Sequence, residues 1–322
     1  MAAGLGTRLR PFTELVPKVF LPLLGEPIIQ FSMDQLVYYG VEEVVANIHY
    51  MPERSRKCLQ DLEKNTIQLS ISDEASQLLG SAGAIRKAIA HFGSEPFFLI
   101  NGDVLAEIDL HALACRHLQL KRQFGVLLTL AVWEKPPSSK EYYTEILLDH
   151  ENGLISGLRE RQTGKPGFAS VAVIEPEALH EVPLGSPSEL VAHVLSPAIE
   201  KKRAGYFMMD GFWLDVGSSK LWFEAHRFLV QGLETGRVPI LWRKRIEKRN
   251  RRLGQEIWTS LDSPRILKTI DWSGPCYWSP SGDPSAEPPT QFGPNAFGYG
   301  ELSEKQGLQN GIGFGRNWDR IY

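Results

Sequence analysis

Between residues 27 and 132 the chain alternates amphipathic stretches with short apolar runs, and this order constrains its fold more than any other feature. Residues 27–40 (PIIQFSMDQLVYYG) read as a helix, opened by Pro27 and closed by Gly40. Val44–Ile48 follows as an apolar run of the kind buried in a parallel sheet. Pro52–Lys64 reads as an amphipathic helix, Ile67–Ser72 as a strand, Ala84–Phe92 as a helix and Pro96–Ile100 as a buried strand. Leu110–Lys121 and Phe124–Val132 add another helix and a strong strand. The order implies an α/β fold: a Rossmann-like mixed, mostly parallel sheet with helices on both faces. Ligands of such sheets bind beyond the carboxyl ends of the strands.

After Trp133 the pattern changes. Glu145–Asp149 and Leu154–Leu158 flank His150-Glu151-Asn152-Gly153 and read as a hairpin. Phe168–Ile174 reads as a strand, Glu189–Arg203 as a helix, Gly205–Asp215 as strand-like and Ser218–Leu229 as a helix. We therefore divide the chain into residues 1–232 and an irregular or β C-terminal appendage, 233–322.

The net charge of −3 gives no whole-protein attraction to nucleic acid or an anionic membrane. Cys58, Cys115 and Cys276 lie far apart without C-x-x-C spacing, which argues against zinc or a disulfide framework and suits the cytoplasm. No apolar run approaches the ~18–20 residues of a membrane span, and no signal peptide precedes the first motif. The histidines show no metal-ligand spacing.

That first motif is AAGLGTRLRPFTELVPKVFLP, residues 2–22. Glycines let a backbone approach a ligand closely, and successive N–H groups of such a turn form a nest for anions. Arg8, Arg10 and Lys18 add the cations that neutralise the oxygens so oriented. A lone Gly4-x-Gly6 is weak, since glycine-rich turns into helices are common. It is neither a dinucleotide fingerprint, lacking the third glycine, nor a P-loop, lacking Gly-Lys-Ser/Thr. Lys18, held between Pro17 and Val19–Leu21, strengthens the reading of a triphosphate loop.

The segment resembles the signature of the sugar-1-phosphate nucleotidyltransferases, G-x-G-T-R-x-R-P-x-T-x-x-x-P-K-x-x-x-P. Gly4, Gly6, Thr7, Arg8, Arg10, Pro11, Thr13, Pro17, Lys18 and Pro22 match its fixed positions, and the similarity runs to about residue 230. Its flavour is that of mannose-1-phosphate guanylyltransferases, with N-acetylmuramate-1-phosphate uridylyltransferases near. In that family a buried strand precedes the loop, whereas here Met1 stands where it should end, and a late annotated start is the expectation.

The resemblance implies that an NTP and a sugar 1-phosphate give an NDP-sugar and pyrophosphate. Ala3, Gly4, Gly6, Thr7 and Arg8 would bind the triphosphate, with Arg8 and Lys18 catalytic. Asn101-Gly102-Asp103 follows an apolar strand, and Trp213-Leu214-Asp215-Val216-Gly217 ends another. Asp alone at such places is also a common turn or cap residue. Mg²⁺ prefers few carboxylates together with substrate phosphates, and the family's N-G-D and W-x-D-x-G motifs assign it to Asp103 and Asp215. Asp109 reads as the N-cap of the next helix.

Leu79-Gly80-Ser81-Ala82-Gly83-Ala84 has the small residues that would let a nucleobase lie against the backbone; alternatively it is a plain glycine-containing helix start. It resembles the family's G-T-A-G segment, with Ser81 for threonine, and Glu74 matches a glutamate before that loop. For the sugar phosphate the candidates are Asn101, Glu160, Ser170 and Glu189. Glu160 aligns with the glutamate of an E-K-P element that Arg161 and Gln162 leave, and Ser170 replaces a glycine. GTP with mannose 1-phosphate is favoured; UTP with a hexose or amino-sugar phosphate is the alternative. A non-catalytic regulatory or scaffold relative is the competing class, and a homo-oligomer stays open. Residues 243–252 (RKRIEKRNRR) read as a solvated helix or linker, or else as a contact for an anionic partner. Many relatives carry a left-handed β-helix beyond 272; here Gly274-Pro275 and Gly293-Pro294 resemble its turns without a sustained six-residue repeat.

Overall fold

The computed structural model describes residues 1–10, 12–14, 16–24, 26–62, 67–134, 143–162 and 166–253, with five short strands between 271 and 314. The chain divides into two compact units: Met1–Leu5 with Gln35–Leu214, and Gly6–Asp34 with Asp215 and the residues after it. In chain order, three 3-10 turns (Thr7–Leu9, Phe12–Glu14, Lys18–Phe20) lead to a small hairpin, β1 (Pro22–Leu23) and β2 (Glu26–Pro27), and to α1 (Ile28–Tyr38). There follow β3 (Glu43–Ile48), α2 (Pro52–Asp61), β4 (Gln68–Asp73), α3 (Gly80–Ala88), β5 (Phe97–Ile100), β6 (Val104–Ala106), α4 (Leu110–Phe124) and β7 (Leu128–Glu134). The remainder is β8 (Tyr143–Asp149), β9 (Leu154–Gln162), β10 (Pro166–Ile174), α5 (Ser196–Glu200), β11 (Ala204–Met208), β12 (Trp213–Asp215), α6 (Ser219–Thr235) and α7 (Ile240–Leu253).

In the first unit the sheet is mixed. β3 and β4 pair in parallel, as their apolar character suggests. A six-stranded sheet runs β5-β10-β7-β11-β9-β8. Here β10 inserts antiparallel between β5 and β7, β11 joins β7 in parallel, and β9 and β8 complete an antiparallel edge. β5, β7 and β11 therefore share one direction, as helix-connected strands should, and the antiparallel pairs come from the later strands. Met1 touches both sheets' neighbourhoods: its N–H donates to Ile100 O (2.6 Å), Gly102 N–H donates to Met1 O (2.9 Å), and Ala2 N–H donates to Asn47 Oδ1 of β3 (2.7 Å). The core packs Leu128, Leu130 and Val132 of β7 with Ala172 and Ile174 of β10, Ala82 and Ile85 of α3, and Val194 and Leu195.

Several boundaries differ from the sequence reading, each for a local reason. α4 is capped by Asp109, whose carboxylate accepts from Ala112 N–H (2.9 Å), as anticipated. It runs on through Phe124 because Gly125, at φ 66°, supplies the left-handed terminus, so the next strand starts at Leu128. The helix expected over 189–203 is a π-turn, Val191–Leu195, followed by the short α5. Pro197 lacks the N–H that would continue an α ladder there. Residues 205–215 form two strands, because Gly211 lies so close to the Glu107 carbonyl that any Cβ would collide with it. Buried His117 of α4 pairs through Nδ1 with Thr129 Oγ1 and through Nε2 with Glu175, which Lys121 also meets at 2.8 Å, so this histidine is structural.

In the second unit Trp222 of α6 is buried; its Nε1–H donates to Pro22 O (2.9 Å) and its ring stands edge-on to Phe12 at 4.9 Å. α7 carries the basic run, and it is not wholly solvated. Trp242, Arg245 and Ile246 are buried, Trp242 packs against Phe31 at 5.6 Å, and Arg245 grips Asp34 with two hydrogen bonds of 2.6 and 2.5 Å. Gln30 also donates to Asp34 (3.0 Å), which satisfies the buried carboxylate. Beyond 270, β13 (Asp271–Trp272) pairs in parallel with β15 (Gln291–Phe292), and β14 (Tyr277–Ser279) with β16 (Phe297–Tyr299). β16 in turn pairs in parallel with β17 (Ile312–Phe314). Parallel pairing between segments 20 residues apart (271 with 291, 277 with 297) is the pattern of stacked coils.

Candidate active site

The glycine loop is built around Gly6. Its φ of 64° is left-handed, and its carbonyl accepts from Leu9 N–H (2.9 Å) and from the Thr13 hydroxyl (2.9 Å). A Cβ on Gly6 would stand 2.7 Å from Thr13 Cγ2 and 3.2 Å from Lys18 Cβ. The glycine, Thr13 and Lys18 of the motif are thus one packed object. Lys18 is buried at the start of its 3-10 turn, fixed by Pro17, while Thr7 and Arg8 are exposed. Pro11 lies outside the described residues. Arg8 reaches Gly217: a Cβ there would lie 2.8 Å from Arg8 Nη2 and 2.6 Å from Asp215 Oδ1. Asp215 is the last residue of β12, and Ser218 just after it caps α6 by accepting from Leu221 N–H (3.3 Å). A Cβ at 217 would force the guanidinium or the carboxylate to shift. A second glycine of the motif, Gly4, belongs to the first unit; it is exposed and a Cβ on it would meet nothing within 4 Å.

In the first unit Asp103 sits in the tight turn between β5 and β6, at the carboxyl end of β5 as its spacing predicts, and is half-buried. Asn101 N–H donates to Ser170 O (3.0 Å). Ser170 itself has φ 62°, at the point where the register of β10 shifts between Phe168 and Ala172. The serine therefore keeps a conformation proper to glycine at a bulge, a strained arrangement of the kind retained at functional sites. Glu160 lies on β9, and its side chain lies outside the described residues.

Gly80, Ser81 and Gly83 form the first turn of α3, which begins at Gly80, so the segment is the glycine-containing helix start that the sequence left as the alternative. The reason is an external cap: the buried Ser188 carbonyl accepts from both Ala82 N–H (2.8 Å) and Gly83 N–H (3.1 Å), while Ser188 N–H donates to Leu79 O (2.8 Å). Ser81 Oγ donates to Glu189 Oε2 (2.8 Å) and accepts from Leu190 N–H (2.7 Å). Glu74 is buried, and its two oxygens accept from Asn47 Nδ2 (2.8 Å) and Leu79 N–H (3.2 Å). Asn47 is the residue sequence reasoning missed. It links the Ala2 amide to Glu74 and so joins the start of the glycine loop to the α3 turn. Its signal was there, a lone amide inside the apolar run of β3.

The chain belongs to the nucleotidyl transferase family, whose description matches residues 1–232. It is 31% identical over 220 residues to N-acetylmuramate alpha-1-phosphate uridylyltransferase of Neisseria meningitidis serogroup B, covering 68% of this chain and 91% of that protein. It is 28% identical over 241 residues to mannose-1-phosphate guanylyltransferase 1 of Arabidopsis thaliana, covering 72% of this chain and 64% of that enzyme. Among solved structures, HddC from Yersinia pseudotuberculosis matches with a TM-score of 0.59 at 19% identity, over 71% of this chain and 96% of the other. A UDP-glucose pyrophosphorylase complexed with UDP-glucose matches with a TM-score of 0.56 at 20% identity, over the same shares. These structural likenesses show the fold. Among the described residues no helix is long and apolar enough to cross a membrane.

Proposed function

We propose that the protein transfers a nucleotidyl group from an NTP to a sugar 1-phosphate, releasing pyrophosphate, and that residues 1–232 carry the reaction. The arrangement around Gly6 and Gly217 carries this reading: a left-handed glycine packed on Lys18, and Arg8 and Asp215 gathered on one bare Cα. The sugar phosphate oxygen is already anionic near neutral pH, so the reaction needs no protein base, and catalysis rests on alignment and charge stabilisation. In this assignment the Ala3–Thr7 backbone and Arg8 hold the β- and γ-phosphates, and Lys18 neutralises charge developing around the α-phosphate. Asn101, Ser170 and Glu160 are assigned to the sugar phosphate. Glu74, both oxygens spent on Asn47 and Leu79, supports the α3 turn that receives the base.

Hard carboxylate oxygens are the donors Mg²⁺ prefers, and the family motifs assign it to Asp215 and Asp103, which would hold it. Among the described residues no cluster of three or more His, Cys, Asp or Glu gathers for a metal. When bound, the ion supplies charge neutralisation at the phosphates. Cys58 and Cys115 are free thiols, in keeping with a cytoplasmic enzyme.

The reading is tested by measuring pyrophosphate release for four NTPs against a panel of sugar 1-phosphates. Release that requires both substrates, best with GTP and mannose 1-phosphate, is expected. No release from any pair would overturn the enzymatic reading in favour of a regulatory relative.

A further inference from the structure

Ser81 and Glu189 are 108 residues apart, yet their side chains share a hydrogen bond of 2.8 Å. The contact is built from both sides. Gly80 has φ 69°, and a Cβ on it would stand 2.7 Å from Glu189 Oε1 and 2.7 Å from Ser188 O. On the far side the Glu189 amide donates to His193 Nδ1 (3.0 Å), and His193 N–H donates to Glu189 O (2.9 Å). Glu189 is nonetheless exposed, so its carboxylate is fixed at the open edge of the α3 turn.

The geometry points to Glu189, held by Ser81, as the residue that reads the nucleobase, with guanine as its preferred partner. This rests on the nucleotidyl-transfer reading above and gives Glu189 a nucleotide role in place of the sugar-phosphate role its position in the sequence suggests. An ionised carboxylate only accepts hydrogen bonds, and its two oxygens match two parallel donors. Guanine offers that pair, N1–H beside N2–H, whereas uracil presents one N–H between two carbonyls. Adenine and cytosine each set an amine beside an acceptor, which a carboxylate repels. The backbone amides of Ala82 and Gly83 are committed to Ser188 and leave the side chain as the reader. The Ser81 bond uses one lone pair of Oε2, and each oxygen retains another.

The test compares the full chain with E189Q, S81A and S81T in two measurements. One is the rate of pyrophosphate release with GTP and with UTP at fixed mannose 1-phosphate; the other is equilibrium binding of GTP and UTP without sugar phosphate. E189Q turns one of the two acceptor oxygens into a donor, so kcat/KM and affinity for GTP should fall about 10- to 100-fold, the scale of one bidentate pair. The change should appear in KM, with UTP affected less than about threefold. S81A should shift GTP in the same direction by a smaller factor, and S81T, which keeps the hydroxyl, should restore it. An unchanged ranking of the two nucleotides in E189Q, or a loss confined to the KM of the sugar phosphate, would overturn the assignment. Should E189Q not fold, the S81A and S81T pair decides by the same ranking. Absence of pyrophosphate with every NTP would count against nucleotidyl transfer alone, because the binding measurement still reads the base.

Discussion

Gly4 and Gly6 look equivalent in the sequence motif, but they should fail in opposite ways when replaced by alanine. Gly6 is left-handed at φ 64°, which costs a residue with a Cβ about 1–2 kcal/mol. The new Cβ would also lie 2.7 Å from Thr13 Cγ2 and 3.2 Å from Lys18 Cβ. Thr13 is buried and tied to the Gly6 carbonyl, so it cannot swing clear, and overpacking adds about 1–3 kcal/mol. Gly6→Ala should therefore cost about 2–5 kcal/mol and lower Tm by about 4–20 °C. Gly4 has nothing within 4 Å of a Cβ and no left-handed φ, so Gly4→Ala should leave Tm within about 2 °C of wild type. If the loop cradles phosphates, the same methyl group should raise the KM for NTP, because it occupies the space a phosphate oxygen needs. Thermal melts and steady-state kinetics of the two variants settle the matter. A Gly6→Ala protein as stable as wild type, or a Gly4→Ala protein with unchanged KM, would refute the reasoning.

Other outcomes follow from the same structure. Asp103→Asn should lower kcat by about 10³-fold with little change in the folding midpoint, and near wild-type turnover in saturating Mg²⁺ would contradict its role. Lys18→Ala should cost about 10²–10³-fold in kcat/KM, measured by pyrophosphate release. Ser170→Gly should stabilise the protein by about 0.5–1 kcal/mol in denaturant titrations, since it relieves a left-handed serine and loses part of the gain to chain entropy. Burial of His226, whose Nδ1–H donates to Trp222 O (2.9 Å), pushes its pKa down to about 4. Its contribution to stability is therefore complete above the unfolded pKa of 6.5 and is lost as pH falls from there to about 4, by about 3 kcal/mol. His226→Phe should flatten that part of the stability–pH curve, and an unchanged slope would show that another group is responsible.

The alternating order of elements was legible because apolar periodicity reports burial, and most helices and strands fall close to where that pattern puts them. Its blind spots are the contacts that arrive from afar. Nothing near Gly80 shows that the Ser188 carbonyl will cap Ala82 and Gly83 and draw the small-residue segment into α3. The π-turn before Pro197 is a backbone consequence that composition hides. Arg245 reads as one more charge in a solvated run, until Asp34, 211 residues away, neutralises it in the interior. Among the candidate site residues, Gly6, Lys18, Arg8 and Asp215 stand out in the sequence as motifs; in the structure Gly6 packs on Thr13 and Lys18, and a Cβ at Gly217 would meet Arg8 and Asp215. Asn47 left only the signal of a lone amide in an apolar run, and its partners, the Ala2 amide and Glu74, are set by the fold. Ser170 was legible as a departure, and only its φ shows that the glycine-like backbone survived the substitution.

The central proposed step is attack by a sugar phosphate oxygen at the α-phosphorus of the nucleotide. Its most direct test supplies sugar 1-phosphate labelled with heavy oxygen in the phosphate group, then follows the label by mass spectrometry with GTP as co-substrate. All of the label should remain in the nucleotide sugar and none should enter pyrophosphate. Label in pyrophosphate, or its release as orthophosphate, would contradict the account.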